Sequence, residues 1–140
     1  MPNNALIISI ETRVRASEVV MKIDEAPQEL ADAIREFWPL AEWDNAAAVS
    51  ELESGWDAFA LNDTTAWPVD ANGYIYYIDG VGVGRERSVS WFQIETLNLP
   101  PGWRWEHLFN TRHNVGTAHM MWAQRAWSPW YFSAKKLGLI

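Results

Sequence analysis

The sequence predicts an α+β fold, mainly α, with a small β-hairpin insert, and three observations carry that expectation. Apolar residues recur at helical spacing in the first half of the chain and again towards its end. The helical period lapses between Asn62 and Gln93. Within that interval Asn72-Gly73 and Asp79-Gly80 are turn pairs flanking the apolar run YIYYI, the signature of one or two hairpins. At 140 residues the chain suits one domain with a continuous core. Residues 1–25 read as an N-terminal arm or edge strand, since ALIISIETRVRASEVVMKI mixes alternation with β-branched residues, and residues 26–140 as the folded body.

From Pro27 onward, Leu30, Ala33, Ile34 and Phe37 fall at i, i+3, i+4 and i+7, an amphipathic helix that Pro39 stops. A second helix starts behind Asp44, a good N-cap, and runs through AAAVSELES to Gly55, a natural C-cap. In the β interval, Gly80, Gly82 and Gly84 have the spacing of a phosphate loop. No Lys-Ser/Thr follows them and no βαβ unit surrounds them, so they read as a flexible turn. A third helix from Thr111 to Ala126 places Val115, Ala118, Trp122 and Ala126 on one stripe. Ser128-Pro129 opens a last helix with Trp130, Ala134 and Leu137 inward and Gly138 at its end.

Composition excludes several functions. No apolar run approaches the roughly 20 residues that span a bilayer, so no membrane insertion is expected. The N-terminus lacks the basic residue and small-residue cleavage site of a secretory signal. Cysteine is absent, and a net charge of −7 argues against a grip on nucleic acid. His107, His113 and His119 stand six apart, about 240° around a helix, so they share no face and no metal site is expected. A serine nucleophile lacks its elbow, because ESG does not match G-x-S-x-G. Ten tryptophans are more than a core this size needs, and exposed aromatic faces suit sugar rings.

The segment SELESGW, Ser50 to Trp56, carries two glutamates. With Ala46 at zero, Ala48, Leu52 and Val49 fall at roughly 200°, 240° and 300°, an apolar arc, and Glu53 at roughly 340° lies on its edge. Glu51, near 140°, reads as a solvated charge. Glu53 stands at the last turn of the helix, where the macrodipole opposes its ionisation as desolvation does. A carboxyl that keeps its proton near neutral pH suits a general acid. From periodicity alone Glu53 is equally open to pairing with an arginine or reaching out to water.

AAAVSELESGWDAFALND resembles the stretch in which the lysozyme-like lytic transglycosylases, phage-encoded ones included, carry a catalytic glutamate at a helix end followed by Ser-Gly and an A-x-N loop; Glu53, Ser54, Gly55, Ala60 and Asn62 take those places. SVSWFQI resembles the family's G-L-F/M-Q-I segment, with Gln93 at its substrate-facing glutamine. LFNTRHNVGTAHMMWAQRAWSPW resembles its L-F-D-P-x-x-N-I helix ending in G-W-S-x-W, with Asn114, Trp127, Ser128 and Trp130 matching. Ser90 stands where the family has glycine, and Asn110-Thr111 where it has D-P.

The resemblance implies a lysozyme-like catalytic domain over residues 26–140 that cleaves peptidoglycan glycan strands between N-acetylmuramic acid and N-acetylglucosamine, with Glu53 protonating the leaving oxygen. It implies no cofactor. It places the protein at the bacterial cell wall, in the host cytoplasm until lysis or in association with a larger phage assembly. Ser54, Gln93, Trp67, Tyr76, Trp91 and Tyr131 are the expected substrate-binding residues. Trp67, Tyr74, Tyr76 and Tyr77 form either a glycan-stacking wall or a small packed sheet. Lytic transglycosylases work without a second carboxylate, whereas glycoside hydrolases usually pair two, and the absence of an acid at the expected place favours the transglycosylase route while hydrolysis stays open. Counting back from Gln93, the second carboxylate's hen-type position is near Ser88, which leaves Glu86 as the nearest acid and Asp63, Asp70 and Asp79 as further candidates. A non-catalytic glycan-binding or virion structural protein of the same shape is the rival expectation.

Overall fold

A computed structural model of the chain describes residues 21–63, 77–78, 81–82, 87–99 and 102–140. Among the described residues five helices carry the architecture: α1 (Lys22–Glu25), α2 (Gln28–Phe37), α3 (Trp43–Ser54), α4 (Thr111–Arg125) and α5 (Tyr131–Lys136), with 3-10 turns at Leu40–Glu42, Thr96–Asn98, Trp105–Phe109 and Ser128–Trp130. The sheet is small. Strands β1 (Leu61–Asp63), β4 (Arg87–Val89) and β5 (Ile94–Glu95) form an antiparallel sheet in the order β1-β4-β5, and β2 (Tyr77–Ile78) pairs with β3 (Val81–Gly82). The protein is therefore mainly helical with a small antiparallel sheet. Among the described residues no helix is long and apolar enough to cross a membrane.

Periodicity located α2 well. Leu30, Ala33 and Ile34 are buried as the spacing requires, and Phe37 packs on the core's margin. Polar contacts then fix α2 to α4: the Thr111 hydroxyl donates to Glu29, and Arg112 grips the Glu36 carboxylate. The expected arm is partly absorbed into the body, because its last residues form α1 and Ile23 is 5% exposed. Residues 1–20 lie outside the described residues. Asp44 is not the N-cap of α3, which begins one residue earlier at Trp43. Its carboxylate instead accepts the Ile23 N–H at 2.9 Å, serving an orphan donor at the start of α1. At the other end, Ala126 and Leu137 are exposed rather than inward, because α4 stops at Arg125 with Ala126 at φ 52°, and α5 stops one residue before Leu137.

The tryptophans are mostly core. Trp38, Trp91, Trp127 and Trp130 are 3–5% exposed, which overturns the expectation of open stacking faces for these four, and Trp43, Trp56, Trp105 and Trp122, partly buried, pack against that core. The physical reason is apolar cover, together with an acceptor for most of the indole N–H groups; that of the buried Trp38 has none among the described residues. Trp38 stacks on Trp127 and Phe92, while the indole N–H groups of Trp43, Trp127 and Trp130 donate to Trp38 O, Glu42 Oε1 and Phe92 O at 2.8–3.0 Å.

The β4–β5 hairpin is the element that positions the site. Val89 pairs with Ile94 and Ser88 with Glu95, leaving Ser90-Trp91-Phe92-Gln93 as the connection. Ser90 and Gln93 both have positive φ, 63° and 48°, a region non-glycine residues rarely adopt. Glycine would take the Ser90 geometry without a steric penalty, which is what the resemblance places there. Tertiary bonds hold the turn instead. Asn114, fully buried in α4, accepts the Phe92 N–H at 3.1 Å and donates to Val89 O and Leu108 O at 2.8 and 3.1 Å.

Replacing Asn114 by leucine removes these three bonds, at up to about 1–3 kcal/mol for each backbone group left without a partner. We expect Asn114→Leu to lose about 3 kcal/mol in urea unfolding. A loss below about 1 kcal/mol would show that the turn is held by other means.

Candidate active site

Glu53 stands in the last turn of α3, and Gly55 closes the helix at φ 62° with its N–H on Glu51 O at 2.7 Å. The buried residues of α3 are Ala46, Ala47, Val49 and Ser50. On the helical wheel they span from roughly 300° through zero to 100°, so Glu53 at roughly 340° lies inside the buried arc, not on the edge of one. The expected arc through Ala48 and Leu52 is incorrect; Leu52 is 45% exposed. The cause lies past the helix end. Trp56 folds back, its indole N–H donating to Ala47 O at 3.1 Å and approaching Ser50 Oγ at 3.2 Å, and so covers the small-residue side. Glu51 is half-buried and takes an ion pair with Lys22 at 2.8 Å, so it is not a purely solvated charge.

The Glu53 carboxyl meets α5, where the Ser133 hydroxyl donates to Oε2 at 2.6 Å. No ion pair to Glu53 is present among the described residues. Burial pushes its pKa above the ordinary 4.5; the Ser133 hydrogen bond, which favours the anion, only partly offsets this. The group is an acid biased towards keeping its proton.

It borders a polar cavity of about 170 Å³ lined by Glu53, Ser88, Gln93, Glu95, Asn98, Met121, Arg125, Pro129 and Trp130. Two roomier hollows, of about 480 and 370 Å³, are mainly apolar, and their Arg35–Asp24 and Arg112–Glu36 charges are spent on each other or on neighbouring helices. The smaller cavity is the better site because perturbed and hydrogen-bonding groups converge on it.

Of the expected site residues, the structure brings Glu53 and Gln93 together here. Gln93 serves chiefly as a brace: its Oε1 accepts from Asn62 Nδ2 at 2.5 Å and its amide donates to Ala60 O and Ser90 O at 3.2 and 3.0 Å. Ser54 is turned to its own helix, donating to Ser50 O, and does not line the cavity. Trp91 cannot stack on a ligand, being 4% exposed with its N–H on Thr111 Oγ1 at 3.0 Å. Tyr131 is exposed on α5 beside Lys135, away from the cavity lining. Glu86, Trp67, Tyr74, Tyr76, Asp70 and Asp79 lie outside the described residues, as do the side chains of Asp63 and Tyr77.

Sequence reasoning missed Ser133, Glu95, Asn98 and Arg125. The first had a signal: Trp130, Ser133, Ala134 and Leu137 run i, i+3, i+4, i+7, and a serine on that stripe needs a buried partner. Glu95 is found only once the register sets it opposite Ser88.

No known family, curated protein or solved structure matches the chain significantly. The fold and site together define a class from their residues alone: a mainly helical domain whose small sheet walls a carboxyl-lined polar cleft.

The raised Glu53 pKa has a definite sign in stability. Between the ordinary carboxyl value and the raised folded one, the native state binds the extra proton, so stability falls as pH rises through that window. Glu53→Gln keeps an acceptor for Ser133 and removes the charge. We expect its melting temperature to exceed the parent's at pH 7, with the gap closing as pH falls to about 4. A variant less stable than the parent at pH 7 would contradict the burial account.

Proposed function

We propose that the protein cleaves peptidoglycan glycan strands at the β-1,4 bond from N-acetylmuramic acid to N-acetylglucosamine, by lytic transglycosylase or lysozyme chemistry. The observation that carries this reading is Glu53: an acid on a buried helix face, without a cationic partner among the described residues, held by one hydroxyl at the wall of a polar cleft. Glu53 protonates the glycosidic oxygen as the C1–O bond breaks, and on the transglycosylase route its carboxylate next takes the proton from the sugar hydroxyl that attacks C1. The cavity is below the ~300–1,000 Å³ of sites that enclose a whole ligand. That suits a polymer lying across the surface with its scissile linkage dipping inward. The sequence resemblance suggests the substrate, and the surroundings of Glu53 support its role as the acid.

A second reading, a non-catalytic glycan-binding or virion structural protein, has one observation in its favour. A net charge of −7 gives no long-range attraction to anionic bacterial walls.

Purified protein is expected to clear suspensions of isolated sacculi, and Glu53→Gln to slow clearing by about 10²–10⁴-fold with an unchanged circular dichroism spectrum. Equal clearing by the variant, or none by the parent on several wall types, would remove the enzyme reading. Sacculus binding without clearing would favour the second.

A further inference from the structure

We infer that Glu95 is the second carboxylate of this cleft and that water, not the sugar's own hydroxyl, completes the cleavage. The inference rests on the reading of Glu53 as the acid. Glu95 ends β5 directly opposite Ser88 of β4, and directly paired residues share a face of the sheet. Both line the cavity that Glu53 lines, Glu53 from α3 and the other two from the sheet. The polar space belongs to both carboxyls, and its 170 Å³ has room for several waters at about 30 Å³ each. Inverting glycosidases seat a water between two carboxyls about 6.5–9.5 Å apart.

Their surroundings differ in the way the two roles require. Glu53 is half-buried and biased towards the acid form, whereas Glu95 is exposed. Its backbone is nevertheless fixed, since Ile94 beside it is fully buried and Gln93 before it is braced to Ala60, Ser90 and Asn62. The step balances. Glu53 gives its proton to the glycosidic oxygen, the C1–O bond breaks and the leaving sugar departs as an alcohol. Glu95 takes a proton from water as the water oxygen bonds to C1, so the products are two sugars, one with a new reducing end, an ionised Glu53 and a protonated Glu95. Exchange with solvent resets both.

The test digests sacculi in ¹⁸O-water with parent, Glu95→Gln and Glu53→Gln proteins, reading product ends by mass spectrometry. We expect reducing ends carrying one ¹⁸O from the parent and a loss of at least about 100-fold in Glu95→Gln. Added azide should restore bond cleavage in that variant as a glycosyl azide, a rescue that a merely structural role would not permit. Anhydro ends from the parent, or parental rates in Glu95→Gln beside a dead Glu53→Gln, would overturn the role of Glu95 alone. A fully active Glu53→Gln, or an inert parent, would overturn the underlying reading and this one with it.

Discussion

The cleft depends on one buried carboxamide. A four-residue connection with two left-handed non-glycine residues has no local reason to persist, because each such residue costs about 1–2 kcal/mol. Asn114 holds it by binding Val89 O before the turn and the Phe92 N–H within it, while Leu108 O ties the same amide to the segment ahead of α4. Trp130 adds a bond to Phe92 O from the opposite side. With the turn fixed, Gln93 braces β1 and β5 leaves at a set angle, so the sheet wall of the cleft is referenced to α4. The helix wall is referenced to α5 through Glu53 and Ser133. Trp130 precedes α5, lines the cleft and bonds the turn, so the two walls share it.

Around this frame the aromatic core supplies stiffness. Trp38, Phe92, Trp127 and Trp130 interlock with ring centroids 5.3–6.2 Å apart, and each of Phe92 and Trp130 belongs both to the core and to the segments that form the cleft. An acid kept half-buried with no ion pair among the described residues costs stability, and the Ser133 hydroxyl bond restrains it. Such local cost at a site is a common mark of function, since selection for activity tolerates it.

Much of the frame was legible. The i, i+3, i+4, i+7 run of α2 needs no tertiary information, and Gly55 and Pro39 mark ends by their backbone chemistry. The buried face of α3 was not legible, because alanine and serine are ambiguous on a wheel and the covering residue, Trp56, comes from beyond the helix. Glu53 survived that error, falling between Val49 and Ala46 on either assignment. The tryptophans misled because count does not show burial; the acceptors that let Trp91, Trp127 and Trp130 go inside, Thr111 Oγ1, Glu42 and Phe92 O, lie far away in sequence. Glu95 was invisible for want of strand register, which only the fold of the connection fixes.

These strands converge on Glu53 as a proton-holding acid, and its titration is the most direct test. Carbon-13 NMR of the side-chain carboxyls, assigned by comparison with Glu53→Gln, reads that titration in the resting protein without substrate. The account predicts a Glu53 midpoint clearly above 4.5 that rises further in Ser133→Ala, where the hydrogen bond favouring the anion is gone. A midpoint at or below 4.5 would contradict it.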